Sequence, residues 1–237
     1  MKREYFTFGG VNSLDFHVWI QNPHSENMPE KDVELLTIPG RSGELIIDHN
    51  RWNNVKLPYD LAITKKFIEN FRGLKSAMLS KQGYQRLENS FEPYVYRMAA
   101  VYHMIEPNTS PYHRAGEFTV VFDCKPQRYL KSGTEPITFA KHGSLSNLTG
   151  YPAQPLIRVE YSGEGELHIG AYTVKLYDTA AGELTIDCET MDAYRGDAPM
   201  NHIIGCEKFP VLEEGSNAIS WTGGITAVKI TPRWWVL

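Results

Sequence analysis

The 237-residue chain has no run of 18 apolar residues, so no segment reads as a membrane-spanning helix and no membrane insertion is expected. It opens Met1-Lys2-Arg3-Glu4 and passes into a strand-like segment without the apolar stretch of a secretory leader. Cysteine is scarce: Cys124, Cys188 and Cys206 lie far apart, with no CxxC. That pattern predicts three buried, reduced thiols in a cytosolically made protein, with a Cys188–Cys206 bridge as the alternative. Charge of one sign is also lacking. Residues 1–130 carry 16 basic and 15 acidic side chains, and residues 131–237 carry 8 and 13. Neither half has a basic patch dense enough to hold duplex nucleic acid.

Catalytic signatures are missing as well. Eight histidines occur without HExxH, HxH or any His/Cys metal spacing. There is no GxSxG, and Gly40-Arg41-Ser42-Gly43 lacks the Lys-Ser/Thr ending of a phosphate loop. Asp187, Glu189 and Asp192 resemble a cation cluster but do not fit an EF-hand. Glu160, Glu164 and Glu166 are spaced so that two carboxylates could face each other across a turn, as in a glycosidase. Gly163 and Gly165 between them make a solvated hairpin tip the expected reading. No catalytic, cofactor-binding or metal residue is expected, and the chain does not read as an enzyme.

What is abundant is period-two alternation. Phe6 and Phe8, then Phe16, Val18 and Ile20, then Phe118, Val120, Phe122 and Cys124 each share a face. So do Ile157, Val159 and Tyr161, Tyr172, Val174 and Leu176, and Leu184, Ile186 and Cys188. These are half-buried strands. Turn signals separate them at Gly9-Gly10, Pro39-Gly40, Ser162–Gly165, Ala181-Gly182 and Gly223-Gly224. One segment has helical spacing, with Phe67, Phe71, Leu74 and Met78 in a stripe, Thr64 as N-cap and Gly83 as terminator. Gly73 inside it costs about 1 kcal/mol against Ala. Asn22–Lys31 reads as an exposed loop, and Phe209–Leu237 as two strands joined at Thr222-Gly223-Gly224.

The predicted architecture is mainly β: a first domain over 1–130, a Gly/Pro-rich linker and first strand region over 131–155, and a β-sandwich over 156–237 whose turns recur every 8 to 12 residues. Trp221, Trp234 and Trp235 stand out in the second half. On an exposed face such rings stack on apolar sugar faces, and the adjacent pair Trp234-Trp235 is expected to point to opposite sides of a strand.

Several segments in order carry a family likeness: YFTFGGVNSLDF at 5–16, IPGRSGEL at 38–45, GYQRLENSFEPYVYRMA at 83–99, FTVVFDCKPQRY at 118–129, LTIDCETMDAY at 184–194, and the closing segment from Phe209. With them the chain resembles the distal tail proteins of long non-contractile-tailed phages and prophages of Gram-positive bacteria. The resemblance implies a virion structural protein assembled in the bacterial host cytoplasm. It implies a homohexameric baseplate ring joining the tail tube protein to the tail-associated lysin or tip protein, with receptor-binding proteins nearby and DNA passing through the lumen. It also implies an N-terminal β-sandwich with one α-helix and an extended hairpin, which builds the ring, and a peripheral galectin-like C-terminal β-sandwich. Subunit contacts are expected on strand edges and hairpins of the first domain, with Tyr102 and Tyr112 as candidates in the segment Val101–Arg114. A host-saccharide-binding adhesion module, using Trp221, Trp234 or Trp235, is the alternative.

Overall fold

The computed structural model describes residues 3–22, 28–102, 108–109 (backbone only) and 114–237. The chain divides into two compact units, residues 1–128 with Leu237, and residues 129–236. Residues 23–27 of the expected Asn22–Lys31 loop and most of the Val101–Arg114 segment, including Tyr112, lie outside the described residues.

The first unit contains β1 (Phe6–Phe8), β2 (Val11–Asn12), β3 (Val18–Ile20), β4 (Lys31–Thr37), β5 (Glu44–Trp52), β6 (Val55–Ile63), α1 (Phe67–Leu79), β7 (Gln85–Asn89), β8 (Val95–Ala100), β9 (Asn108–Thr109) and most of β10 (Gly116–Leu130). Its main sheet runs β2-β1-β7-β8-β10-β6-β3. The β3 end of the sheet comes back to the residues just before β1, where the Ile20 amide donates to the Glu4 carbonyl at 2.8 Å. Alternation along β6 and β10 sends Leu57, Tyr59, Leu61 and Phe118, Val120, Phe122 inward. There Tyr59 and Phe122 pack edge to face at 5.0 Å, with Phe6 against both.

Helix α1 buries Phe67, Leu74 and Met78. Phe71 stacks on Phe67 at 5.6 Å and meets Phe118 edge-on at 4.9 Å. The helix begins later than expected: Lys66, in the left-handed region at φ 47°, precedes its first turn, and Thr64 makes no cap. Its end also differs from expectation, falling at Ser80 before Gly83 is reached. Gly73 has a steric reason to be there, since a Cβ would sit 2.9 Å from the Phe16 ring. Phe16 itself is not in a strand. It closes a short 3₁₀ turn over Ser13–Phe16, and His17 at φ 53° redirects the chain into β3.

The second unit contains β11 (Ile137–Phe139), β12 (Gly143–Asn147), β13 (Leu156–Ile169), β14 (Tyr172–Leu176), β15 (Gly182–Asp187), β16 (Asp192–Arg195), β17 (Ala198–Pro199), β18 (Ile204–Gly205), β19 (Gly215–Thr231) and β20 (Trp235–Val236). Residues 131–155 carry β11 and β12, both paired with β19. Two expected turns are not turns. Ser162–Gly165 lies within β13 and Gly223-Gly224 within β19, and the two strands pair from Leu156 opposite Thr231 to Ile169 opposite Ile219.

The glycines serve a close backbone crossing. Gly165 lies opposite Gly223, where the register shifts. A Cβ on Gly223, whose φ is 71°, would lie 2.4 Å from the Glu164 carbonyl oxygen, and one on Gly224 would lie 2.6 Å from Gly163 backbone atoms. At this bulge the ribbon changes neighbours. One half pairs with β15 and β11, the other with β14 and β12. Ile157, Val159 and Tyr161 from one half and Leu167 and Ile169 from the other enter one core. A single bent ribbon thus supplies middle strands to both layers.

The end of the unit is fastened by Arg233, whose guanidinium grips the Asp187 carboxylate twice, at 2.6 and 2.9 Å, while its amide donates to the Gly133 carbonyl. Burial pushes the Asp187 carboxyl up, but the Arg233 hydrogen bonds and charge, together with the Glu189 and Thr190 amides, outweigh it and hold the group below its ordinary value.

Candidate functional site

Most acidic groups singled out from sequence have structural partners, and the thiols are free and at least half-buried. Arg233 takes Asp187 and approaches Glu189 at 3.5 Å, and Asn201 donates to Asp192. Glu160 pairs with Lys229 at 2.6 Å and Glu166 with Lys175 at 3.3 Å, on strands rather than at a hairpin tip. Asp178 is held down to about 2 by the Tyr161 hydroxyl, the Ala180 amide and Arg195, a polar clamp between β13 and β16. Burial pushes the Cys124 and Cys188 thiols up to about 12, which keeps them protonated, and Cys206 is half-buried. Among the described residues no three His, Cys, Asp or Glu side chains gather as a metal site.

Trp221 and Trp234 are only 8 % and 9 % exposed and join the core of the second unit, leaving little ring face for a sugar. Trp234 and Trp235 follow the end of β19, past Arg233 at φ 58°, and differ in burial: Trp234 is in the core and Trp235 opens β20 at its edge. Trp234 lies against Gly133, while Trp235 stacks on Tyr151 at 4.7 Å and donates its indole N–H to the Pro152 carbonyl. Both rings therefore pack on their own unit. Tyr102 is 69 % exposed.

The surface that demands a partner is the β4–β5 hairpin, which pairs with no other strand among the described residues. Its root is charged. Lys31 pairs with Asp48, and Arg51 and His49 with Asp32, so that hydrogen bonds from Lys31 and Arg51 hold Asp48 and Asp32 below their ordinary values. Its tip turns through Gly40 and Gly43, both at positive φ. Between root and tip it is apolar on both faces. Leu35 sits opposite Ile46 on one face and Leu36 opposite Leu45 on the other, with Ile47 beside the latter pair. Leu35 is 54 % exposed and Ile46 65 %. A lone two-stranded hairpin is marginal in water, and one with apolar residues on both faces and two unpaired edges is a docking element.

The expected interface segment did not include this hairpin. Its signal was nonetheless in the sequence: the adjacent apolar residues Leu35-Leu36 and Leu45-Ile46-Ile47, mirrored across Pro39–Gly43. Alternation would leave one face polar, and adjacent apolar residues load both.

No family model matches the chain, and no curated protein matches it. Among solved structures it is similar to the SPP1 Dit protein, described as a paradigm of the hub adsorption apparatus in phages that infect Gram-positive bacteria, with 14 % identity, a TM-score of 0.73, and 97 % of this chain and 98 % of that chain covered. It is also similar to a chain of the phage P2 baseplate in its activated conformation with Ca (11 % identity, TM-score 0.56) and with Sr (11 %, 0.54), again over 97 % of this chain and 98 % of the other. At these identities the likeness shows the fold: both units, in order, share the β architecture of a phage hub protein.

Proposed function

We propose that the chain is a structural hub of a phage tail tip, forming a closed homohexameric ring that joins the tail tube protein to the tail-associated lysin or tip protein and lets DNA pass through its lumen. The observation that carries this reading is a fold likeness to the SPP1 Dit protein running the length of both chains. The β4–β5 hairpin supplies the assembly element. In a closed ring one patch docks on a different patch of the next copy, and a hairpin apolar on both faces suits insertion between or along neighbouring first units. Covering the exposed parts of Val33, Leu35, Leu36, Leu45, Ile46 and Ile47 is worth roughly 5 kcal/mol. Association alone costs about that or more, so the hairpin needs further contacts. Tyr102 and Tyr112 stand as candidates for them. The second unit, galectin-like under this reading, lies at the ring's periphery, where receptor-binding proteins attach.

The test is the mass of the full chain in solution. The ring predicts about six times 27.0 kDa at micromolar concentration. A monomer at every concentration, and also in the presence of assembled tail tubes, contradicts it.

A further inference from the structure

A groove of about 600 Å³ opens in the second unit beside β14 and β18, within the size range of small-molecule sites. Strand alternation builds one wall. Val174 and Leu176 enter the core, so Thr173, Lys175 and Tyr177 project from the opposite face. Glu207 and Lys208 follow β18 along the other side, and Tyr172 closes one end with its hydroxyl donating to Glu213 at 2.7 Å.

Three features define what fits. Tyr177 is 55 % exposed. Its ring lies directly over Gly205, where a Cβ would stand 2.6 Å from the hydroxyl and 2.9 Å from the ring, so the bare backbone seats the ring while much of it stays open to solvent. Charges of both signs are present: Lys175, Lys208 and Glu207 line the groove, Glu166 lies 3.3 Å from Lys175 outside the lining, and Glu213 takes the Tyr172 hydroxyl. With Lys175 already paired, neither sign dominates the lining. An aromatic face held in place beside donors and acceptors of both kinds suits a ligand with one apolar C–H face and a rim of hydroxyls.

We propose that this groove binds a neutral pyranoside, with the sugar's C–H face on Tyr177 and its hydroxyls between Lys175, Thr173, Glu207 and Lys208. This site goes beyond the ring, differs from the tryptophans singled out in the sequence, and does not depend on hexamer formation.

The test is saturation-transfer NMR on the full chain with methyl glycosides of glucose, galactose, rhamnose and N-acetylglucosamine, and with a glycerol phosphate oligomer as the anionic probe. At least one glycoside is expected to bind at roughly millimolar Kd, with the strongest transfer to its C–H face. Tyr177→Ser should weaken binding about fivefold or more, the usual worth of one ring contact. Tyr177→Phe should retain it, and Gly205→Ala, which displaces the ring without removing any polar group, should weaken it. Absence of transfer from every glycoside, transfer from the glycerol phosphate oligomer alone, or equal transfer with Tyr177→Ser would overturn the proposal. Mass measured on the same samples separates this result from the fate of the ring.

Discussion

Two long antiparallel ribbons, one in each unit, meet opposite fates. The β13–β19 ribbon bends at a glycine crossing and buries its inner face on both sides of the bend. The β4–β5 hairpin turns on glycines at its tip, shifts register near its root, and leaves apolar side chains exposed on both faces. The first ribbon satisfies itself within its unit and the second cannot. Where a β-ribbon keeps its apolar residues exposed on both sides, the missing layer belongs to another molecule.

The comparison can be broken most severely at the crossing. Gly223→Val adds a branched side chain at φ 71° into the Glu164 carbonyl, with no flexible neighbour to yield. It should cost well over 3 kcal/mol and leave the second unit unfolded, read as loss of its thermal transition. A variant with an unchanged melting temperature would mean that the strands do not cross there.

A smaller loss is expected at the fastening. Asp187→Asn should lower stability by about 2 kcal/mol by trading a bidentate ion pair for a neutral contact, measured by urea unfolding. The same carboxylate has a pH signature. Asp187 and Asp178 titrate below their unfolded value of about 3.9, so their stabilisation is in full force above that pH and is lost as pH falls through their folded values, about 2 for Asp178. Stability of the second unit should therefore fall between about pH 4 and 2, and Asp187→Asn should flatten part of that decline. Parallel acid curves for the two proteins would remove the pair from the account.

The smallest effect on stability is expected on the hairpin. Leu35→Ser with Ile46→Ser should change the melting temperature of the unassembled chain little, within about 0.5 kcal/mol per site, because both side chains already face water. A large loss would mean that the hairpin packs on its own unit.

Much of the fold was legible because alternation is local. Phe118–Cys124 and Ile157–Tyr161 disclosed their inner faces directly. The helix stripe was equally plain, although its start shifted to Phe67 because Lys66 turns the chain at positive φ. Glycine was ambiguous. Ser162–Gly165 and Gly223-Gly224 have turn composition, yet their use depends on a partner strand about sixty residues away, which no local pattern reveals. The Tyr177 groove was hidden because its ring depends on Gly205 across a strand pair.

The central claim is that the exposed hairpin closes a ring. Native mass measurement of the full chain, with and without Leu35→Ser and Ile46→Ser together, tests it most directly. The account predicts about six times 27.0 kDa for the unaltered chain and a fall to smaller species for the double variant, with its melting transition retained. A ring of the same mass in both proteins would contradict it.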